Sequence, residues 1–166
     1  TLPGGPRIVN VSSSVSRFPA SFDFDDPEGV KSFTLFRRYG MSKLALNLAT
    51  WELARRARKH GVHVHALNPG TIRTKITRSY HSFLREGQAL IAPINKNLWQ
   101  GSNTSIYVCT SPHVCREPPG SFFEHSARTP MPLGDNPRSD ADALWKWMES
   151  VLGVSAQDVG LFPHVD

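Results

Sequence analysis

A chain of 166 residues, 39% of them hydrophobic and 20% charged, is long enough for one globular domain with a modest core and is neither disordered nor fibrous in composition. The formal charge of +5 is spread thinly, apart from Arg55, Arg56, Arg58 and Lys59, so a nucleic-acid partner is not expected. No apolar run approaches the ~18 residues of a membrane span, and no cationic start with an apolar stretch behind it marks a secretory leader.

Residues 7–12, Arg-Ile-Val-Asn-Val-Ser, are short and β-branched, with Gly4-Gly5-Pro6 before them and a serine cluster after. That pattern predicts a buried strand. Residues 17–36 mix proline, aspartate, glycine and aromatics and read as a long loop with at most one short turn, a length that usually marks a functional or a mobile segment. Residues 37–60 read as a helix, with Met41, Leu44, Ala45, Leu48, Ala49 and Trp51 at three- and four-residue spacing. The Arg55–Lys59 cations suit its C-terminal dipole, and Gly61 stops it. Residues 62–67 alternate as a second strand, ended sharply by Asn68-Pro69-Gly70. Residues 71–97 are poorly periodic, with short helices expected near 73–86 and 87–92. A helix is predicted over 98–110 with Pro112 beyond it, then a third strand over 120–124. Ser139 and Asp142 form a capping-box pattern that predicts the last helix to start at Ser139. Leu144, Trp145, Met148, Val151 and Leu152 give that helix one apolar face, Gly153 closes it, and 154–166 reads as a tail.

Strand and helix thus alternate, which predicts an α/β fold: a parallel sheet of about three strands with right-handed crossovers and flanking helices. Three strands make a narrow parallel sheet, so part of a larger fold is expected to be missing, with an unpaired inner edge prone to aggregation. Cys109 and Cys115 match no zinc pattern or disulfide framework and read as free thiols. His63 and His65 alternate on one strand and point the same way, but two histidines without a third ligand do not make a metal site. Trp99, Trp145 and Trp147 read as packing or surface residues.

The chemistry concentrates in Tyr39-Gly-Met-Ser-Lys43. Four residues apart on a helix, Tyr39 and Lys43 share a face. A phenol ordinarily titrates near ~10, and a neighbouring ammonium favours the phenolate. Such a pair can deliver or remove a proton near physiological pH. Upstream, Val9-Asn-Val-Ser-Ser13 ends a strand in hydroxyls, and Asn68-Pro-Gly70 with Thr74 follows the next strand. Ligands of open α/β sheets bind off such carboxyl ends.

Together, Val-Asn-Val-Ser-Ser, Tyr-x-x-Ser-Lys and Asn-Pro-Gly-x-x-x-Thr, in this order, resemble the short-chain dehydrogenase/reductase family over roughly residues 7–152. The flanks Ser-Lys-Leu-Ala-Leu-Asn-Leu, Glu52-Leu-Ala-Arg-Arg56, Gln100-Gly101 and Leu144-Trp145 look like its retinol dehydrogenase and WW-domain oxidoreductase branch. The resemblance implies the C-terminal half of a doubly wound, Rossmann-like fold, with 1–153 as its catalytic portion. It implies a nicotinamide cofactor, NAD or NADP, and a small apolar alcohol or carbonyl substrate of retinoid or steroid type. In the implied roles Ser13 hydrogen-bonds the substrate oxygen, and Tyr39 exchanges the proton and is also among the cofactor-binding residues. Lys43 supports the phenolate and binds the nicotinamide ribose, while Pro69, Gly70, Ile72 and Thr74 line the nicotinamide. Tyr80, Phe83 and Leu84 fall where the family keeps its substrate loop, with plain packing as the alternative. Helix 37–60 corresponds to one that commonly pairs across a dimer, again with core packing as the alternative.

The family's glycine-rich phosphate turn has no counterpart here, because no Gly-x-x-x-Gly-x-Gly occurs. The Asn-Asn-Ala-Gly motif, the catalytic asparagine and the residue that selects NAD or NADP are missing too; Asn10 and Asn47 match neither asparagine. With Thr1 only a few residues before a family strand, the expectation is a fragment of a longer enzyme. The rival is a non-catalytic remnant acting through protein contacts of helix 37–60. Compartment stays open: cytoplasm, or endoplasmic reticulum if an anchor precedes the chain.

Overall fold

The computed structural model describes residues 4–31, 34–70 and 98–154. The short helices expected within 71–97 and the tail from 155 onward lie outside them. In chain order the elements are β1 (Arg7–Val11), α1 (Leu35–Ala57), β2 (His63–Asn68), α2 (Leu98–Thr110), β3 (Phe122–Glu124), β4 (Ala127–Thr129) and α3 (Pro137–Leu152). Single 3₁₀ turns occupy Ser14–Arg17, Arg58–His60 and Pro112–Arg116.

The sheet order is β1-β2-β3-β4. β1 and β2 run parallel, from Arg7 opposite His63 to Val11 opposite Leu67. β3 adds in parallel through Ala66 opposite Phe122, which gives the expected Rossmann-like α/β arrangement. β4 extends the three expected strands by a fourth, antiparallel one, joined to β3 through the two-residue turn His125-Ser126. Both turn residues have positive φ, 51° and 59°, the primed-turn geometry that suits a tight hairpin. Among the described residues β1 pairs only with β2, and its Ile8 and Val11 are 39% and 49% exposed.

Helices cover both faces. Successive strand residues point to opposite sides, so Val64 packs on Ala54 and Ala57 of α1, while Leu67 joins Val108 of α2, Val114 and Phe123. α3 crosses α1 on the far side: Leu44 and Leu48 are fully buried against Phe22, Ala141 and Leu144. The sheet packs on one flank of α1 and α3 on the other. Each such leucine contributes about 1.5–3 kcal/mol through burial. The Arg56 guanidinium also lies 4.5 Å above the Trp145 ring and bonds the buried carboxylate of Glu52.

α1 begins two residues earlier than its apolar spacing predicts, because Thr34 Oγ1 accepts from Arg37 N and caps it. α3 also begins earlier than predicted. Pro137 occupies its first turn, where a missing N–H costs nothing. The Ser139 hydroxyl donates back to the Asn136 carbonyl, so Ser139 sits inside the helix and the expected capping box does not form. The long loop before α1 is organised by its aspartates. Asp26 accepts from Val30 N and Lys31 N, and Asp23 from the amides of Asp25 and Asp26. Among the described residues no helix is long and apolar enough to cross a membrane.

Candidate active site

The parallel strands β1, β2 and β3 end at the same side of the sheet, and the candidate residues gather there. Ser12 N continues the ladder by donating to Leu67 O at 2.7 Å, so the chain leaves β1 only at Ser13. Ser13 is extended (φ −158°) and caps the following 3₁₀ turn, its Oγ accepting a long 3.4 Å bond from Val15 N. A hydroxyl in that role keeps its O–H able to donate.

Tyr39 and Lys43 lie on one face of α1, Tyr39 46% exposed and Lys43 half-buried. Lys43 Nζ donates to Val11 O at 2.9 Å and stands 5.7 Å from the centroid of the Tyr39 ring. The helix is thereby fastened by Lys43 to the last residue of β1. One hydrogen bond uses one of three ammonium donors, which leaves others for a ligand in the crevice.

Gly40 explains how closely the two segments approach. A Cβ there would lie 3.1 Å from Val15 O and 3.4 Å from the Pro19 ring, so glycine lets the Ser14–Arg17 turn sit against α1 without crowding. Behind this contact is a fully buried polar chain. Asn47 Nδ2 donates to Ser16 Oγ and to Pro132 O, both at 3.0 Å, and Ser16 Oγ donates to Ser13 O at 2.7 Å. Asn47 lies one helical turn past Lys43, so α1 holds the Ser13 backbone as well as presenting Tyr39. Lower on the same helix Thr50 Oγ1 accepts from Asn10 Nδ2 of β1 at 2.8 Å.

Asn68, Pro69 and Gly70 turn away at the end of β2. Asn68 Oδ1 accepts from Gly70 N at 3.1 Å, and Gly70 adopts φ +82°, in the left-handed region that glycine occupies freely. Glu124 ends β3 beside them. Both its oxygens accept from Arg17, at 3.0 and 2.8 Å, and Oε1 also accepts from Asn68 Nδ2 at 2.8 Å. The Arg17 hydrogen bonds lower the Glu124 pKa below the usual carboxylate range, against the opposing effect of burial and with help from Asn68.

Of the residues singled out in the sequence, Ser13, Tyr39, Lys43, Pro69 and Gly70 thus sit at one end of the sheet. Ile72 and Thr74 lie outside the described residues, as do Tyr80, Phe83 and Leu84. Sequence reasoning missed Gly40, Ser16, Asn47, Arg17 and Glu124. Asn47 carried a usable signal, its four-residue spacing from Lys43. The others gain their roles from contacts across the fold.

A nicotinamide and its ribose suit this donor set: spare ammonium donors on Lys43, a half-exposed phenol, and a pinned turn beyond β2. Among the described residues no group of three His, Cys, Asp or Glu could hold a metal ion.

A parallel sheet with helices on both faces is a Rossmann-like α/β arrangement, and a serine, a tyrosine and a lysine stand at its carboxyl end. The model for the short chain dehydrogenase family matches residues 27–84. Retinol dehydrogenase 12 of Bos taurus is 34% identical over 149 residues, 89% of this chain and 46% of that protein. Retinol dehydrogenase 14 of Homo sapiens is 33% identical over 156 residues, covering 89% and 44%. An uncharacterised oxidoreductase of Schizosaccharomyces pombe is 33% identical over 126 residues, covering 69% and 35%. The chain spans about half the length of the curated relatives it matches. A crystal structure of an uncharacterised protein from Mycobacterium paratuberculosis shares the fold, with TM-score 0.61 and 22% identity over 90% of this chain and 51% of the other. The chain belongs to the short-chain dehydrogenase/reductase family.

Proposed function

We propose that residues 1–153 form the catalytic portion of a nicotinamide-dependent oxidoreductase that interconverts an apolar alcohol and its carbonyl compound. The observation that carries this reading is the Lys43 ammonium, fastened to the end of β1 and 5.7 Å from the Tyr39 ring, one residue from the strand exit at Ser12-Ser13. The family generally uses NAD or NADP, and the bound nicotinamide supplies the hydride acceptor or donor. Ser13 donates a hydrogen bond to the substrate oxygen. Tyr39 takes the proton from that oxygen as an alcohol is oxidised, or returns it as a carbonyl is reduced. Lys43 stabilises the phenolate and offers its remaining donors to the ribose hydroxyls, while Pro69, Gly70, Ile72 and Thr74 border the nicotinamide. The substrate class rests on the retinol dehydrogenases among the relatives, and the WW-domain side of the likeness on the sequence motifs alone.

The test uses the protein expressed from its full gene. Formation of reduced nicotinamide is followed by absorbance with retinol and a steroid alcohol under each cofactor, and its consumption with the matching carbonyls. Turnover is expected, and Ser13→Ala and Lys43→Ala each lower it by ~10²–10⁴-fold. No turnover in either direction with either cofactor, from a folded protein, overturns the reading.

A further inference from the structure

Among the described residues, the Glu124 carboxylate bonds both the turn after β1 and the end of β2. Its bidentate partner Arg17 belongs to the turn that begins right after Ser13, 107 residues away in sequence. Its other partner, Asn68, is 56 residues away and pins the Pro69-Gly70 turn through Oδ1. The carboxylate side chain is only 16% exposed, against 42% for Arg17, so the anion is the buried partner and the cation faces solvent. Fork-to-fork geometry of this kind fixes orientation as well as distance. The last paired residues of β2 and β3, Asn68 and Glu124, are therefore tied to each other by their side chains, and Glu124 is tied through Arg17 to the turn that leaves β1. Removing the carboxylate leaves Arg17 without its bidentate acceptor and Asn68 Nδ2 without its partner.

We propose that Glu124 is a positioning residue of the active site: through Arg17 and Asn68 it sets the spacing between the Ser13 turn and the Asn68-Pro69-Gly70 turn. The inference rests on the oxidoreductase reading for its kinetic consequence, and on geometry alone for its structural one. Arg17 and Glu124 bond each other, and Glu124 bonds Asn68, rather than the side chains of Ser13, Tyr39 or Lys43. A shift of either turn changes the gap between the serine that holds the substrate oxygen and the turn that borders the nicotinamide. Misplacements of about 1 Å in such gaps lower rates by up to ~10²-fold.

The experiment compares the full protein with Glu124→Ala, Glu124→Gln, Arg17→Ala and the exchanged pair Arg17→Glu with Glu124→Arg. Amide hydrogen exchange is read over segments 12–17 and 66–70, and kcat and KM for cofactor and alcohol are read separately. Glu124→Ala is expected to speed exchange in both segments together while the rest of the sheet stays protected. It should lower kcat about 10- to 100-fold and raise the cofactor KM more than the alcohol KM. The exchanged pair should recover part of the rate, which a general loss of stability would not allow. Glu124→Gln keeps the size and an acceptor for Asn68, so it provides a folded comparison with a smaller effect in the same direction. Unchanged exchange in the two segments overturns the proposal whether or not the protein turns over alcohol. So does an active Glu124→Ala enzyme with parental constants. A wild-type protein without any turnover counts against the oxidoreductase reading, while coupled loosening of the two segments still supports the clamp.

Discussion

Replacing His65 with leucine should remove a defined part of the protein's acid sensitivity. His65 is fully buried on β2, and neither ring nitrogen has a hydrogen-bond partner among the described residues. The edge of Phe123 packs against it with centroids 5.5 Å apart, and the His63 ring stacks at 6.4 Å. Burial, then the charges of His63 and Arg7, push its pKa down from 6.5 to about 4; a nearby Ser121 carbonyl pulls weakly the other way without reaching hydrogen-bond geometry. Between those two values the unfolded chain takes up a proton that the folded chain refuses. The contribution of a neutral His65 is therefore whole above about pH 6.5 and is lost as pH falls toward about 4. At 1.36 kcal/mol per pKa unit the loss is about 3 kcal/mol. Leucine has no proton to bind and leaves no orphaned ring nitrogens, so the variant should match or exceed the parent at about pH 7. Urea unfolding of both proteins at about pH 7, 5.5 and 4.5 measures the difference. With m near 2 kcal/mol per M, the gap between their midpoints should widen by roughly 1 M or more across that range. Parallel pH dependences for the two proteins would refute the reasoning, because every other titrating group is common to both.

The remaining expectations concern packing and backbone. Leu48→Ala, at a fully buried position between α1 and α3, should cost about 2–5 kcal/mol in denaturant unfolding. Gly40→Ala should lower stability by roughly 1 kcal/mol despite the better helix propensity of alanine, because its Cβ would press on Val15 O; thermal unfolding would show the sign. His125→Asn with Ser126→Gly should raise stability by about 1 kcal/mol, since both positions hold positive φ and asparagine-glycine adopts it without strain.

Local order was legible in the sequence wherever one periodicity dominated. The β-branched run of β1, the alternation of β2 and the helical spacing of α1 and α2 each matched their elements within a few residues. β4 was not legible: Ala127-Arg128-Thr129 is three residues long, its turn carries neither glycine nor asparagine, and its pairing with β3 supplies what composition does not. The start of α3 was misplaced because Ser139 and Asp142 imitate a cap, whereas Pro137 is already set for the first turn. Ser13, Tyr39 and Lys43 could be picked out because each follows a local signal, a strand exit or a one-turn spacing. Arg17 and Glu124 could not, since their connection spans 107 residues and exists only once β1, β2 and β3 lie side by side.

A direct test lies in the proton transfer assigned to Tyr39. In the protein expressed from its full gene, Tyr39→Phe removes one hydroxyl from a helix face that is 46% exposed and disturbs little packing. Turnover of a retinol-type alcohol should fall by ~10²–10⁴-fold, with cofactor affinity and unfolding midpoint unchanged. A Tyr39→Phe enzyme that turns over within a few-fold of the parent would contradict the account.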